Sequence, residues 1–250
     1  MAMFGGDPPT RFQIDGAECV RASFADSAVL ERVPQMDGII HCAAQTSHPR
    51  SIDIPLVDFE VNARDTLRLL LRLAKMGRRA PKLVHVSSAK VYGQNVDSRP
   101  TVDETCPIGD QTILTPFGVS KLAGDLYAQQ FAKLYSLPIV ILRPGCFTGP
   151  GAMAVVEQNW EPIFVQRIVR GELLTIYGHA GKQVRDVLHV SGLATACLLA
   201  LDRGAAGEVF NVSGGLSNAI SMLDAVRIIE DIAGKRAKVE FGPTRLGDWF

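Results

Sequence analysis

Residues 62–76, NARDTLRLLLRLAKM, followed at 82–88 by KLVHVSS, decide the fold class. In the first segment, leucines at 67, 70 and 71 with Ala74 form one stripe at the helical period, and arginines at 64, 68 and 72 form the opposite one. A helix with a single apolar stripe lies on something. In the second, the alternation of a half-buried strand gives way to an apolar run, which fits a strand covered on both faces. The same two signals repeat outward. DGIIHCAA (37–44) and PIVILRP (138–144) read as apolar strands, and 120–135 reads as a helix between KLVHVSS and PIVILRP. Upstream, AECVRAS (17–23) reads as a strand and DSAVLERV (26–33) as a short helix capped by Asp26. Apolar strands separated by amphipathic helices predict an α/β fold, a doubly wound parallel sheet with helices on both faces.

After Gly145 the rhythm loosens. NWEPIFVQRIVRG reads as a helix with Pro162 tolerated in its first turn, and LLTIYG, QVRDVLHV and GEVFNVSG read as short strands. Ser191 opens a helix to Leu201, and Ser221 with Asp224 opens another to Ala233. The expected division is a sheet domain over 1–145 and a smaller cap over 146–250, interleaved with the last strands of the sheet.

Composition narrows the function. The chain has 250 residues, 47% of them hydrophobic, enough for a large core, and its 26 Lys and Arg balance 26 Asp and Glu. That balance gives no invitation to nucleic acid or to an acidic membrane. No run approaches the roughly 18 apolar residues of a membrane span, and the start, MAMFGGDPPTRFQ, lacks the apolar core of a signal peptide, so a cytoplasmic protein is expected. Five cysteines at 19, 42, 106, 146 and 197 fit neither a disulfide framework nor a zinc site, and no metal is expected.

Parallel sheets bind ligands beyond the carboxyl ends of their strands. The residues there are His41 to Gln45, Ser87 to Gly93 and Pro144 to Pro150. Small residues such as Ala43, Ala44 and Gly145 admit a flat ring or a pyrophosphate, although packing alone uses them equally well. His41 and His189 read as hydrogen-bonded core histidines, Trp160 as core, and Arg185 beside Asp186 as a surface ion pair. Ser87 and Ser88 read equally as the end of a strand.

The segments IIHCAAQTSHPRSIDIP, DFEVNARDTLRLL, VHVSSAKVYG, PFGVSKLAGDLYAQQFAKLYSLP, LRPGCFTGP, GKQVRDVLH, VFNVSGG and TRLGDWF resemble, in order, the extended short-chain dehydrogenase/reductases that act on nucleotide sugars. Within that NAD-dependent epimerase/dehydratase family they are most similar to the CDP-paratose 2-epimerase (CDP-tyvelose epimerase) group. The resemblance implies a Rossmann-like dinucleotide-binding domain over 1–145, a substrate-binding region over 146–250, bound NAD, and a nucleotide-sugar substrate. It implies that Ser88 hydrogen-bonds the reacting sugar oxygen and that Lys121 holds the nicotinamide ribose. Cys42, Ala43 and Gln45 would line the dinucleotide crevice, Asn62 would fix the catalytic turn, and Pro144 and Gly145 would flank the nicotinamide. On the cap, Arg185 and Arg245 would grip the diphosphate, a task suited to forked guanidiniums, while Asn159, Trp160 and Tyr177 would border the base, with Cys146 at the sugar. A homodimer would form through the helices at about 62–76 and 120–135.

Two departures keep other readings open. Phe117 stands where the family's tyrosine would stand, four residues before Lys121, and phenylalanine has no atom to take a proton. Loss of a general base lowers turnover by about 10²- to 10⁴-fold, and Cys146 is the nearest substitute in sequence logic. The region before AECVRAS offers FGGDPP and no strand, glycine-rich turn and helix, so the expected Rossmann domain is amino-terminally truncated by roughly 50 residues, counting ~30 or more for one βαβ unit. A non-catalytic nucleotide-sugar or dinucleotide-binding relative and an NDP-sugar dehydratase therefore stand beside the epimerase. If the truncated chain folds alone, AECVRAS is expected to pair in parallel with DGIIHCAA and cover its edge.

Overall fold

The structure, a computed structural model, describes residues 17–18, 20, 22–109, 115–152 and 159–249. Four strands form the main sheet: β1 (Gly38–His41), β2 (Lys82–Val86), β3 (Ile139–Pro144) and, beyond the cap strands, β8 (Val209–Val212), all parallel in the order β1-β2-β3-β8. The preceding α1 (Ser27–Leu30) is a single turn, followed by a 3-10 turn at Val33–Gln35, so the expected helix over 26–33 is shorter than its apolar residues indicated.

Alternate residues of the strands serve two cores. Leu83, Ile139 and Ile141 face α3 (Asp65–Met76) and α4 (Pro116–Leu134), where Leu69, Leu70, Leu73, Ala128, Phe131 and Ala132 close over them; the short α2 (Pro55–Asp58) precedes α3. Val84, Val140 and Leu142 face the other way, toward Leu193, Cys197 and Ala200 of α6 (Val190–Arg203). Both faces are covered, and each fully buried Leu or Ile contributes on the order of 1.5–3 kcal/mol. The apolar stripe of α3 is rotated from its sequence reading: Leu69 and Leu73 are buried, while Leu71 is exposed. Leucines occupy 67, 69, 70, 71 and 73, so the sequence offers two overlapping apolar stripes, and the one through Thr66, Leu69, Leu70 and Leu73 is the one that faces the sheet.

The cap carries its own small core. α5 (Trp160–Arg170) and α7 (Met222–Ala233) pack Phe164, Ile168, Met222 and Val226 against Leu174 and Ile176 of β5 (Leu173–Tyr177), which pairs in parallel with β10 (Lys238–Gly242). Two short pairs form separate two-stranded sheets within the same region: β4 (Phe147–Thr148) with β7 (Leu188–His189), parallel, and β6 (Val184–Asp186) with β9 (Ala219–Ser221), antiparallel. Ser221 accepts from the Asp224 N–H as the sequence indicated, and α5 and α7 both end on a left-handed glycine.

Three expectations are corrected. Ala17, Glu18, Val20, Ala22 and Ser23 are not in a strand, Cys19 and Arg21 lie outside the described residues, and among the described residues β1 pairs with β2 alone. Local bonds hold that segment instead: Ser23 N–H donates to Asp26, and Glu18 pairs with Arg32 at 2.6 Å. Phe24 lays its ring on His41 at 4.5 Å, beside the strand end. His189 is exposed, not core; its Nδ1 caps α6 by accepting from Ser191 N–H, the role the sequence gave to Ser191. His41 is a core histidine, with Nε2 3.1 Å from Thr66 Oγ1.

Gly124 brings α4 onto the π-helical turn; a Cβ there would lie 2.7 Å from the Asn62 carbonyl oxygen. Alanine is favoured over glycine inside a helix by about 1 kcal/mol, but this contact is with backbone and has no room to relax. A Gly124→Ala variant is therefore expected to be destabilised, by about 1–3 kcal/mol, in urea unfolding, where an exposed helical site would gain stability.

Candidate active site

Asn62 organises the floor of the site. It sits in the π-helical turn, 2% exposed, and its Oδ1 accepts from Gln45 N–H at 2.9 Å while Nδ2 donates to Gln45 O at 3.2 Å and Ser120 Oγ at 3.0 Å. One amide thus fixes the loop after β1 to the first turn of α4. Gln45 spends its own side chain on protein: Nε2 donates to Asp58 Oδ2 and Ser47 O, so its part in the crevice is to shape the loop. Burial pushes the Asp58 carboxyl up to about 6. Cys42 is exposed and Ala43 half-exposed beside it at the end of β1.

The two serines after β2 separate cleanly. Ser87 is buried, donating to Asp125 Oδ2 at 2.6 Å. That carboxylate also takes both arms of Arg143 at 2.9 Å, and Arg143 Nη1 reaches the Tyr92 hydroxyl, which donates to Asn211 Oδ1. Ser88 remains half-exposed, its Oγ accepting from the Lys90 N–H at 3.2 Å. The strand-end reading fits Ser87, and Ser88 is the serine presented outward.

α4 begins at Pro116, one turn earlier than the sequence indicated, which places Phe117 in its first turn. Phe117 is 8% exposed with His48 edge-on to its ring at 6.5 Å. One turn on, Lys121 Nζ donates to Val86 O at 2.7 Å; burial pulls this ammonium down to about 8. Among the described residues Val86 O is its one acceptor, leaving two N–H groups of the ammonium for ligand hydroxyls. Pro144 and Gly145 end β3, and a Cβ on Gly145 would only touch Ser213 and Asp186, so that approach is open.

A small cleft opens next to this face, lined by His48, Lys90, Gly93, Thr115, Gly118, Gly247 and Trp249. Its far wall is the segment after β10. Trp249 Nε1 donates to Gly93 O at 2.7 Å, Lys90 Nζ donates to Gly247 O at 3.0 Å and lies 4.0 Å over the Trp249 ring, and Arg185 Nη2 donates to Trp249 O at 2.9 Å. Arg245 stacks its guanidinium on Tyr177 at 3.7 Å. Arg185 and Arg245 are thus both part-buried on the cap side, and Arg185 reaches the segment after β10 through the Trp249 carbonyl. Trp160 stands edge-on to Phe164 at 5.2 Å and packs on the cap core, as the bland reading had it; Asn159 is exposed at the start of α5. Cys146 is half-buried, and burial pushes its thiol up. Lys90 falls in the strand-tip stretch Ser87 to Gly93 picked out in the sequence, but neither it nor His48 or Trp249 was given a role there.

The nicotinamide side of a dinucleotide fits these residues, because Lys121 offers ammonium hydrogens at the strand ends where Pro144 and Gly145 leave space. FGGDPP, on which the reading of the pyrophosphate site rested, lies outside the described residues.

A doubly wound parallel sheet with a serine after one strand, a lysine on the following helix and two arginines on a cap defines a dinucleotide-dependent enzyme class acting on anionic sugars. The chain belongs to the NAD dependent epimerase/dehydratase family, whose model matches residues 7–213. It is 31% identical over 230 residues to CDP-paratose 2-epimerase of Salmonella typhi, an alignment spanning 85% of this chain and 68% of the relative. In structure it is similar to UDP-glucose 4-epimerase of Thermotoga maritima solved with UDP-glucose, at a TM-score of 0.80 and 30% identity, covering 91% of this chain and 72% of that one. It is similar also to a tyrosine-to-phenylalanine mutant of UDP-glucuronic acid 4-epimerase from Bacillus cereus, in complex with UDP-4-deoxy-4-fluoro-glucuronic acid and NAD. That match has a TM-score of 0.81 and 26% identity over 92% of this chain and 69% of the other.

The Arg143–Asp125 pair holds the site's supports together from within, at 3% and 0% exposure. Removing one partner strands a buried charge. Asp125→Ala is expected to lose about 3–5 kcal/mol of stability in urea unfolding.

Proposed function

We propose that the chain is a nucleotide-sugar epimerase that uses bound NAD to oxidise one sugar carbon transiently and return the hydride to the opposite face. The observation that carries this reading is the meeting of Ser88, Lys121 and the Phe117 position at one end of the sheet, opposite Arg185 and Arg245. NAD supplies the hydride acceptor when bound; every other task falls to the chain. Lys121 holds the ribose through the N–H groups not given to Val86 O, Asn62 keeps the α4 turn in place, and Cys42, Ala43, Pro144 and Gly145 border the ring and its ribose. Ser88 orients the sugar hydroxyl through its half-exposed Oγ. Arg185 and Arg245 neutralise the diphosphate, with Tyr177 stacked under Arg245 and Asn159 beside the base. In this reading residues 1–145 carry the cofactor and 146–250 the substrate.

Dehydration of the nucleotide sugar is the alternative within the same class of enzyme. Eliminating water needs an acid for the leaving hydroxyl and a base for the neighbouring C–H. A binding protein without turnover is the second reading, and Phe117 favours it. The Bacillus cereus mutant, which holds a sugar nucleotide and NAD, supports binding in either case. Exposed Leu71 on α3 and Val119, Leu126 and Tyr127 on α4 support a homodimer through these helices.

Incubation with NAD and UDP- or CDP-sugars in D2O tests the reading. An epimer protiated at the inverted carbon is the expected product; a keto-deoxy sugar would mean dehydration, and tight binding without product would mean the binding protein.

The diphosphate grip makes its own prediction. Arg185→Lys is expected to weaken UDP- or CDP-sugar binding about tenfold or more in calorimetry, about 1.4 kcal/mol, since an ammonium cannot replace a planar fork. Unchanged affinity would remove Arg185 from the grip.

A further inference from the structure

Phe117 leaves open where the proton of the reacting hydroxyl goes, a question that rests on the epimerase reading. Four side chains near the strand ends can accept one, and of these Lys121, lowered by burial to about 8, is held on Val86 O and, in the epimerase reading, is given to the ribose as an ammonium. Cys146 is the substitute the sequence pointed to, but burial pushes its thiol up, so it stays protonated at neutral pH and is no base there. His48 lines the cleft and faces the Phe117 ring, yet burial, with Lys90 and Arg245 nearby, holds it down at about 4, far too weak a base.

Lys90 remains. It follows Ser88 by two residues, its own N–H is tied to Ser88 Oγ, and it lines the cleft together with Gly118, the residue after Phe117. Its ammonium rests on a carbonyl and a ring, Gly247 O and Trp249, and among the described residues no carboxylate forms a salt bridge with it. A cation so placed has lost water without gaining an ion pair. Burial, with Arg185 opposing, lowers it to about 8, while Asp248, Cys146 and Asp97 pull the other way.

We propose that Lys90, as the neutral amine, takes the proton of the reacting sugar hydroxyl in place of the absent phenol. The O–H bond breaks and an N–H bond forms; the oxygen's electron pair closes the carbonyl as the C–H hydride leaves to the dinucleotide. In the return step the carbonyl pair goes back to oxygen, which recovers the proton from the ammonium as hydride adds to the other face. Nothing is consumed, and the sugar hydroxyl replaces the Gly247 carbonyl as the amine's partner.

The test has two arms on the full chain. NMR of 13Cε-labelled lysine, with Lys90 assigned as the signal missing from Lys90→Met, is expected to show a half-titration near 8; a value above 10 overturns the proposal. In the second arm, Lys90→Met is expected to lower turnover by about 10²- to 10⁴-fold, and adding Phe117→Tyr is expected to recover it by a similar factor. Turnover of the natural chain is expected to rise as pH approaches about 8, the sign for a Lys90 base that must be neutral, and to fall beyond it as Lys121, also lowered to about 8, loses the proton it offers the ribose. An equal loss from Lys90→Met with and without Phe117→Tyr, or no loss, overturns the proposal and leaves the epimerase reading standing. Absence of turnover even in the Phe117→Tyr chain that retains Lys90 means that the epimerase reading itself has failed, and the proposal with it.

Discussion

One buried ion pair ties the site's elements together. Arg143, near the end of β3, gives both arms to Asp125 on α4, and through that carboxylate and the Tyr92 hydroxyl the network reaches Ser87 after β2 and Asn211 in β8. Strand ends that would otherwise diverge with the sheet's twist are held at one spacing. A pair this deep contributes little net stability, because removing two ions from water offsets their attraction. What it supplies is position: Ser88 and Lys121 each stand next to a residue of the network or one turn from it, so their separation is inherited from the pair.

The elements read best from the sequence are those whose signal is local. The apolar runs of β2 and β3 and the period of α4 appear in any short window, and both strands and the helix form where expected to within a turn. The segment at 17–23 has strand-forming residues too, but a strand exists only with a neighbour, and the neighbour is not a local property. The π-helical turn at 59–64 was invisible for a related reason: the partners of its Asn62, Gln45 and Ser120, are 17 and 58 positions away, and which of two overlapping leucine stripes of α3 enters the core is likewise decided by the sheet beneath it.

Site residues divide along the same line. Ser88, Asn62, Lys121, Arg185 and Arg245 were singled out through motif resemblance; Asn62 bonds the loop after β1, Ser88 and Lys121 stand at the end of β2, and the two arginines lie on the cap side. Gln45 and Trp160 were legible as residues near a site but not in their contacts, which turn to protein. Lys90 was unreadable because its burial depends on Gly247, 157 positions further along the chain. In sequence it is one more lysine in a turn.

The charges around the cleft pose a problem that the arginines solve. Lys90, Arg185 and Arg245 share one region with no carboxylate among the cleft's lining residues, on a chain whose formal charge is zero. Without ligand, burial first and Arg185 second keep the Lys90 ammonium easy to deprotonate, against the pull of Asp248, Cys146 and Asp97. A bound diphosphate reverses the sign of the local field and would by itself return the proton to the amine, removing the base at the moment of need. If Arg185 and Arg245 grip the diphosphate as proposed, two guanidiniums paired with two phosphates would cancel that field at its source, because forked contacts hold the opposite charges within hydrogen-bond distance, where little potential leaks outward. Grip and base are therefore coupled: a substitution that loosens the Arg185 contact would weaken binding and also raise the pH at which Lys90 becomes neutral.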